Sequence, residues 1–189
     1  MQMKTKQHGF TLIELLVTMA IAGILLGVAI PSFNNAIINS RLTTSANELM
    51  GTLNLAKSEA IKRGYQITIR RKGSTSTQWD TGWTIFVDED ADNAFADDGD
   101  TNLCEANADG SPTEDCLLRT YDALPTGFTL RTGGSALKDY VAYLPTGMSK
   151  GSAGDTFRLC LGSDTTKSRA ITLNTVGRAY VSSAAASCP

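Results

Sequence analysis

The spacing of apolar positions changes twice along this chain, and each change marks a different kind of element. From Phe10 to Ile30 they run almost unbroken over 21 residues, with Glu14 as the one charge. At about 1.5 Å of rise per residue, that run makes a helix of roughly 31 Å, close to the roughly 30 Å hydrocarbon core of a bilayer. Further on the pattern opens out. Ile38, Leu42, Ala46, Leu49, Leu53, Ala56 and Ala60 recur every three or four residues among Asn, Ser, Thr, Lys and Glu, which is the stripe of an amphipathic helix. Lys62, Arg63 and Gly64 then supply a cationic last turn and a glycine stop. One helix over residues 10–63 is expected, apolar all round in its first half and one-sided in its second.

After Gly64 the texture becomes short and β-prone. YQITIRR (65–71), WTIFVD (83–88), LLRTYD (117–122), GFTLRT (127–132), DYVAYL (139–144), TFRLCL (156–161), RAITLN (169–174) and GRAYVS (177–182) are separated by Gly, Ser, Asp and Pro clusters. A helix followed by such a series argues an α+β fold: the long N-terminal helix packed on an antiparallel sheet domain over 64–189. No internal repeat and no interdomain linker interrupts it.

The segment before the apolar run is short and polar, with Lys4 and Lys6 and no acid. Lysines there favour a cytoplasmic N-terminal end, which sends the sheet domain across the inner membrane to the periplasm. The apolar run is too long for a secretory signal core, so it reads as a retained single-pass anchor. Glu14 then needs an explanation, because a carboxylate in a membrane helix is costly. Thr11-x-x-Glu14 fits a capping box, in which Glu14 would reach back to the orphan amides of the helix start. Alternatively, cleavage after Gly9 would give Phe10 a free amino group. A neighbouring subunit shifted along the axis could then present its own to Glu14. Gly23-x-x-x-Gly27, with Ala20 one turn earlier, makes a small-residue face suited to close helix approach in lipid. Pro31 lacks an amide hydrogen and leaves the Gly27 carbonyl without its helical donor.

These residues together, a Lys-containing leader, Gly9, Phe10 and TLIELLVTMAIAGILLGVAIPSF, resemble the N-terminal signature of type IV pilins and pseudopilins. The resemblance implies that a prepilin peptidase removes residues 1–9, that Phe10 becomes N-methylated, and that Glu14 is needed for subunits to join the filament. It further implies that the helix loosens between Gly23 and Pro31 on assembly. Further along, TQWDTGWTIFVDEDAD and SRAITLNTVGRAYV before a final cysteine resemble the GspH/FimT family of minor pilins and pseudopilins. A minor pilin that helps prime type IV pilus assembly is the function so implied. Its partners would be major and minor pilins, the inner-membrane assembly platform and, before assembly, membrane lipid. A type II secretion pseudopilin is the alternative within the same assembly class.

Cys104, Cys116, Cys160 and Cys188 all fall on the expected outer side, where disulfides form. Four cysteines allow three connectivities. Local loop closure favours Cys104–Cys116 and Cys160–Cys188, and the second would staple the tail, as pilins commonly do. Zinc is disfavoured, with no CxxC pair and no nearby histidine.

Family members that bind DNA use a C-terminal GRxR pattern. Here the tail reads Gly177-Arg178-Ala179-Tyr180, so Arg178 is kept and a tyrosine replaces the second arginine. Arg169, Lys167 and Arg158 are further candidates for a phosphate contact. Without residues 1–9 the chain has 15 basic against 19 acidic side chains, which is not the footprint of a general DNA binder. The acidic stretch 88–100 begins as Asp88-x-Asp90-x-Asp92, like a calcium loop. An EF-hand, however, needs glycine at its sixth position and glutamate at its twelfth, where this chain has Asn93 and Gly99. A solvated hairpin tip without metal is expected instead. The single histidine, His8, lies in the leader, so the processed chain lacks Ser–His and Cys–His nucleophile pairs. No phosphate-binding loop is present either, and neither an enzyme nor a cofactor is expected.

Overall fold

The computed structural model describes residues 10–96, 115–134, 136–151, 154–185 and 187–189. Helix α1 spans Leu12–Arg63 with Pro31 inside it. It starts at Leu12 because Thr11, one residue before, serves as its cap. It ends where Gly64 adopts φ +76° and donates its amide to the Ala60 carbonyl, the left-handed stop expected of a glycine. Arg63 and Glu59 pair at 2.6 Å on the last turn.

The chain divides into two units, residues 1–40 and 41–189. In the first, every described residue from Phe10 to Ile37 is exposed. The helix is long and apolar enough to cross a membrane. In the second, Leu42, Ala46, Leu49, Thr52, Leu53, Ala56 and Ala60 are buried, one face of the helix at the spacing that its sequence carries.

Among the described residues eight strands follow: β1 Gln66–Arg71, β2 Trp83–Asp88, β3 Cys116–Tyr121, β4 Phe128–Thr132, β5 Tyr140–Tyr143, β6 Asp155–Leu161, β7 Asp164–Leu173 and β8 Ala179–Ser182. They form two four-stranded antiparallel sheets, in the orders β3-β2-β1-β5 and β4-β6-β7-β8. β7 starts five residues ahead of the apolar run at Arg169, since Asp164 already pairs with Leu161 across a tight hairpin. Sequence pattern undercounts such a strand, because Asp164 to Ser168 are polar and gain their β structure from the partner strand.

The two tryptophans of the WDTGW stretch anchor different parts of this core. Trp83, on β2, donates its Nε1–H to Thr52 Oγ1 of α1 at 3.1 Å and stacks on Tyr121 at 5.4 Å. Trp79, just before β2, donates to the Leu137 carbonyl at 3.0 Å and meets Phe157 of β6 edge-on at 5.0 Å. Both are fully buried with their N–H groups satisfied, as buried indoles require. The Trp79 amide also donates to the Leu130 carbonyl of β4 at 2.9 Å, which ties the segment leading into the first sheet to the edge of the second. Gly82 between them has φ +95°, and a Cβ there would run into the Tyr121 carbonyl and the Asp122 backbone. Only glycine fits that approach.

A second tie joins the sheets at the β7–β8 turn. Ser149 Oγ donates to the Asn174 carbonyl at 2.9 Å, and Gly177, φ +73°, sits directly against the Gly147 carbonyl and the Tyr143 ring. The tail is held by a disulfide between Cys160 on β6 and Cys188, with Cα atoms 5.9 Å apart. It is also held by the Ala185 amide on Ser168 Oγ at 2.8 Å. Cys116 is disulfide-bonded; Cys104, its expected partner, lies outside the described residues.

Candidate functional site

The N-terminal end of α1 is built from a local sequence and needs no tertiary support. The Thr11 amide and hydroxyl both donate to Glu14 Oε2, at 3.0 and 2.9 Å, and the Glu14 amide donates to Thr11 Oγ1 at 3.3 Å. This is the reciprocal capping box, which satisfies orphan amides at a helix start. In the single chain, then, the glutamate is engaged by its own helix start, one residue after Phe10. Gly9 lies outside the described residues. Beyond the cap, a Cβ added at Gly23 or Gly27 would meet nothing within 4 Å, so the small-residue face is open to another helix. An exposed carboxylate at the head of an apolar helix, followed by an open glycine face and Pro31, can do one thing readily. It can bring a second apolar helix close and offer that helix a negative charge.

The basic residues of the tail are spread out. Arg178 is exposed at the β7–β8 turn, its amide held by Asn174 Oδ1 at 2.8 Å. Arg169 reaches the Ser183 carbonyl at the other end of that ladder. Leu173 pairs with Ala179 and Ala170 with Ser182, so the two arginines are about five strand positions apart, roughly 17 Å. Arg158 pairs with Ala170 while Arg169 pairs with Leu159, which puts these neighbours on opposite faces of the sheet. Lys167 lies 4.0 Å from Asp164.

The end of β2 gathers acids. Asp88 is buried, and its Oδ2 accepts from Gln66 Nε2 and Thr68 Oγ1, both at 2.6 Å, and from the Asn93 amide at 3.1 Å. Asp115, just before β3, accepts the amides of Glu89 and Ala96 at 3.2 and 2.9 Å. One carboxylate oxygen from each of Asp88, Asp90 and Asp115 lies within 4.8 Å of the others. Burial pushes the Asp115 carboxyl up to about 6; its two amide donors oppose the rise, and the neighbouring Asp88 and Asp90 charges add to it. The sequence gives Asp88 and Asp90 as a pair but no hint of Asp115. The third acid joins only because β3 pairs with β2, Val87 opposite Cys116. Elsewhere, burial raises Asp139, but the Arg71 and Ser76 hydrogen bonds and the Arg71 charge outweigh it and hold that carboxyl below its ordinary value. Burial alone raises the Tyr143 hydroxyl.

The profile of the family described as "Type II transport protein GspH" matches residues 45–177, and that of the "Prokaryotic N-terminal methylation motif" matches residues 4–30. The chain belongs to the GspH family. Among curated relatives it is similar to a "Fimbrial protein" of Pseudomonas aeruginosa, 37% identical over 78 residues, 41% of this chain and 49% of that protein. It is also similar to a "Probable minor fimbrial protein" of Dichelobacter nodosus, 39% identical over 59 residues, 31% of this chain and 36% of that protein. The chain thus spans about half the length of the first of these relatives and about a third of the second. Among solved structures, the type IV minor pilin FimU of Pseudomonas aeruginosa shares the fold, with a TM-score of 0.59 at 21% identity over 79% of this chain and 96% of that chain. Within this GspH-family chain, the WDTGW stretch and the tail up to Gly177 fall inside the matched domain, and Glu14 falls inside the methylation motif.

Proposed function

We propose that the chain is a minor pilin of a type IV pilus, a structural subunit that helps start filament assembly. One observation carries this reading: Glu14 heads the exposed apolar half of α1 inside a methylation motif, on a chain whose residues 45–177 match the GspH family. The fimbrial names of its relatives favour the pilus over secretion.

In this reading the leader lies in the cytoplasm, the helix spans the inner membrane and the sheet domain lies in the periplasm. A prepilin peptidase cleaves after Gly9 and Phe10 is N-methylated. The new amine is then the cation that a neighbour's Glu14 lacks. In lipid, pairing with a neighbour's ammonium neutralises the Glu14 charge, which the Thr11 hydrogen bonds leave in place, and an uncompensated charge there is costly. Helix approach along Gly23 and Gly27 and loosening towards Pro31 complete the docking with other pilins. The role is structural, with no catalytic step.

The test is a count of surface pili after deletion of the gene, in cells whose pilus retraction is blocked. Pili should fall sharply and return with the intact gene but not with Glu14→Ala. Normal pilus numbers after deletion would remove the priming role and direct attention to secretion.

A further inference from the structure

We propose that the end of β2 is a calcium site formed by Asp88, Asp90 and Asp115. The inference is independent of the pilus role. Oxygens bound to one Ca²⁺ at about 2.4 Å can be at most about 4.8 Å apart. That is the span within which one carboxylate oxygen from each of the three acids falls. All three are hard oxygen donors, the type calcium selects. They arrive on a rigid frame: Asp88 on β2, and Asp115 just before β3 with its own amide on the Ala96 carbonyl at 2.9 Å.

The second observation concerns Asp88 itself. It is 1% exposed. Its Oδ2 takes three donors, yet its Oδ1 is buried without a hydrogen-bond partner among the described residues. Buried polar atoms are almost always paired, and an unpaired carboxylate oxygen is among the costliest to leave so. The Oδ2 bonds hold the carboxylate in place, so it cannot turn Oδ1 towards them. A cation shared with Asp90 and Asp115 satisfies Oδ1 and also offsets the repulsion among three acids. Exposed Asp90 gives the ion its route in, and water fills the coordination positions that the acids leave.

Two protein cations stand close by. Lys150 Nζ donates to the Ala91 carbonyl at 2.9 Å, to Gln66 Oε1 at 3.0 Å and to Asn93 Oδ1 at 3.3 Å, and Arg70 donates to the Asn93 carbonyl. Their charge weakens the attraction for a metal ion. The expected Kd is therefore in the range of extracellular calcium modules, about 10⁻⁴ to 10⁻³ M.

The experiment uses the full chain in detergent, with thermal unfolding followed in EGTA and in CaCl₂, and calorimetric titration with CaCl₂. The expected result is one ion per chain and a rise in Tm of about 3 to 6 °C at tenfold excess over Kd. Asp90→Asn, at an exposed position that leaves the core intact, should weaken binding at least about tenfold and remove most of that rise. Asp115→Asn should do the same. A wild-type Tm that ignores millimolar CaCl₂ overturns the proposal. So does a response that Asp90→Asn and Asp115→Asn both retain, or an equal response to MgCl₂.

Discussion

Both halves of α1 carry leucines and alanines, and these meet opposite fates. In residues 12–37 leucine, isoleucine and valine point to every side and are exposed; Leu16 is 58% exposed. In residues 42–60 most apolar residues keep to one stripe and are buried; Leu53 is 1% exposed. Residues 12–37 carry one charge and residues 38–63 carry six, so the apolar side chains differ in angular distribution. A stripe can be covered by one sheet domain of the same chain, whereas a helix apolar all round can be covered only by lipid or by other helices. The first half is therefore a request for surroundings that a single chain does not supply, and the second half is already answered.

Substitutions should reveal that difference. The largest effect is expected from Leu53→Ala, which empties a buried position and should cost about 2 to 5 kcal/mol. In thermal unfolding this is a Tm loss of several degrees or more for a chain of this size. Leu16→Ala in detergent should leave the same transition unmoved. If the two shifted it equally, the contrast between the halves would be wrong.

Removing the tail disulfide with Cys160→Ser and Cys188→Ser together should cost roughly 3 to 4 kcal/mol by loop entropy over a separation of 28 residues. The check is chemical denaturation, where the oxidised wild type and the double variant should differ and the difference should close when both are reduced, since reduction also opens the Cys116 disulfide.

Gly82→Ala comes next. It forces a side chain into a positive φ and against the Tyr121 carbonyl, so a loss of about 1 to 3 kcal/mol is expected. Gly23→Ala is its counterpart in the first half, where a Cβ meets nothing. The domain's unfolding should not change, and any effect should be on pilus number.

The smallest effect is a pH dependence. The Asp139 carboxyl is held below its ordinary value by Arg71 at 2.6 Å and by Ser76. The pair therefore stabilises the fold above the unfolded carboxyl value near pH 4, and that stability is lost as pH falls through the lower folded value. Because the carboxyl is partly exposed, the contribution is at most about 1 kcal/mol. Asp139→Asn should be less stable than wild type at pH 7 by that amount, and the gap should close in acid.

Much of the fold was legible because its signals are local. All eight β-prone stretches became strands, and the glycine after Arg63 ended the helix. The reading stopped where pairing began. Nothing in WTIFVD or TFRLCL says that the first belongs to one sheet and the second to another. The polar start of β7 was invisible for the same reason, since Asp164 to Ser168 follow β6 rather than their own preference. At the candidate site, Glu14 and its Thr11 cap could be read directly, being three residues apart. The tail arginines looked closer in sequence than the β7–β8 ladder leaves them.

By itself, then, the sequence determined what a window of a few residues can hold: helix period, strand alternation, a cap and a stop. Only the tertiary structure decided which of the two tryptophans meets the helix and which meets β6. It also decided that Asp115 stands beside Asp88, 27 positions away along the chain. The physical reason is that local patterns need no loop closed, whereas each distant contact costs closure entropy. Distant contacts form only where many side chains can be buried at once, a property of the whole core rather than of any segment.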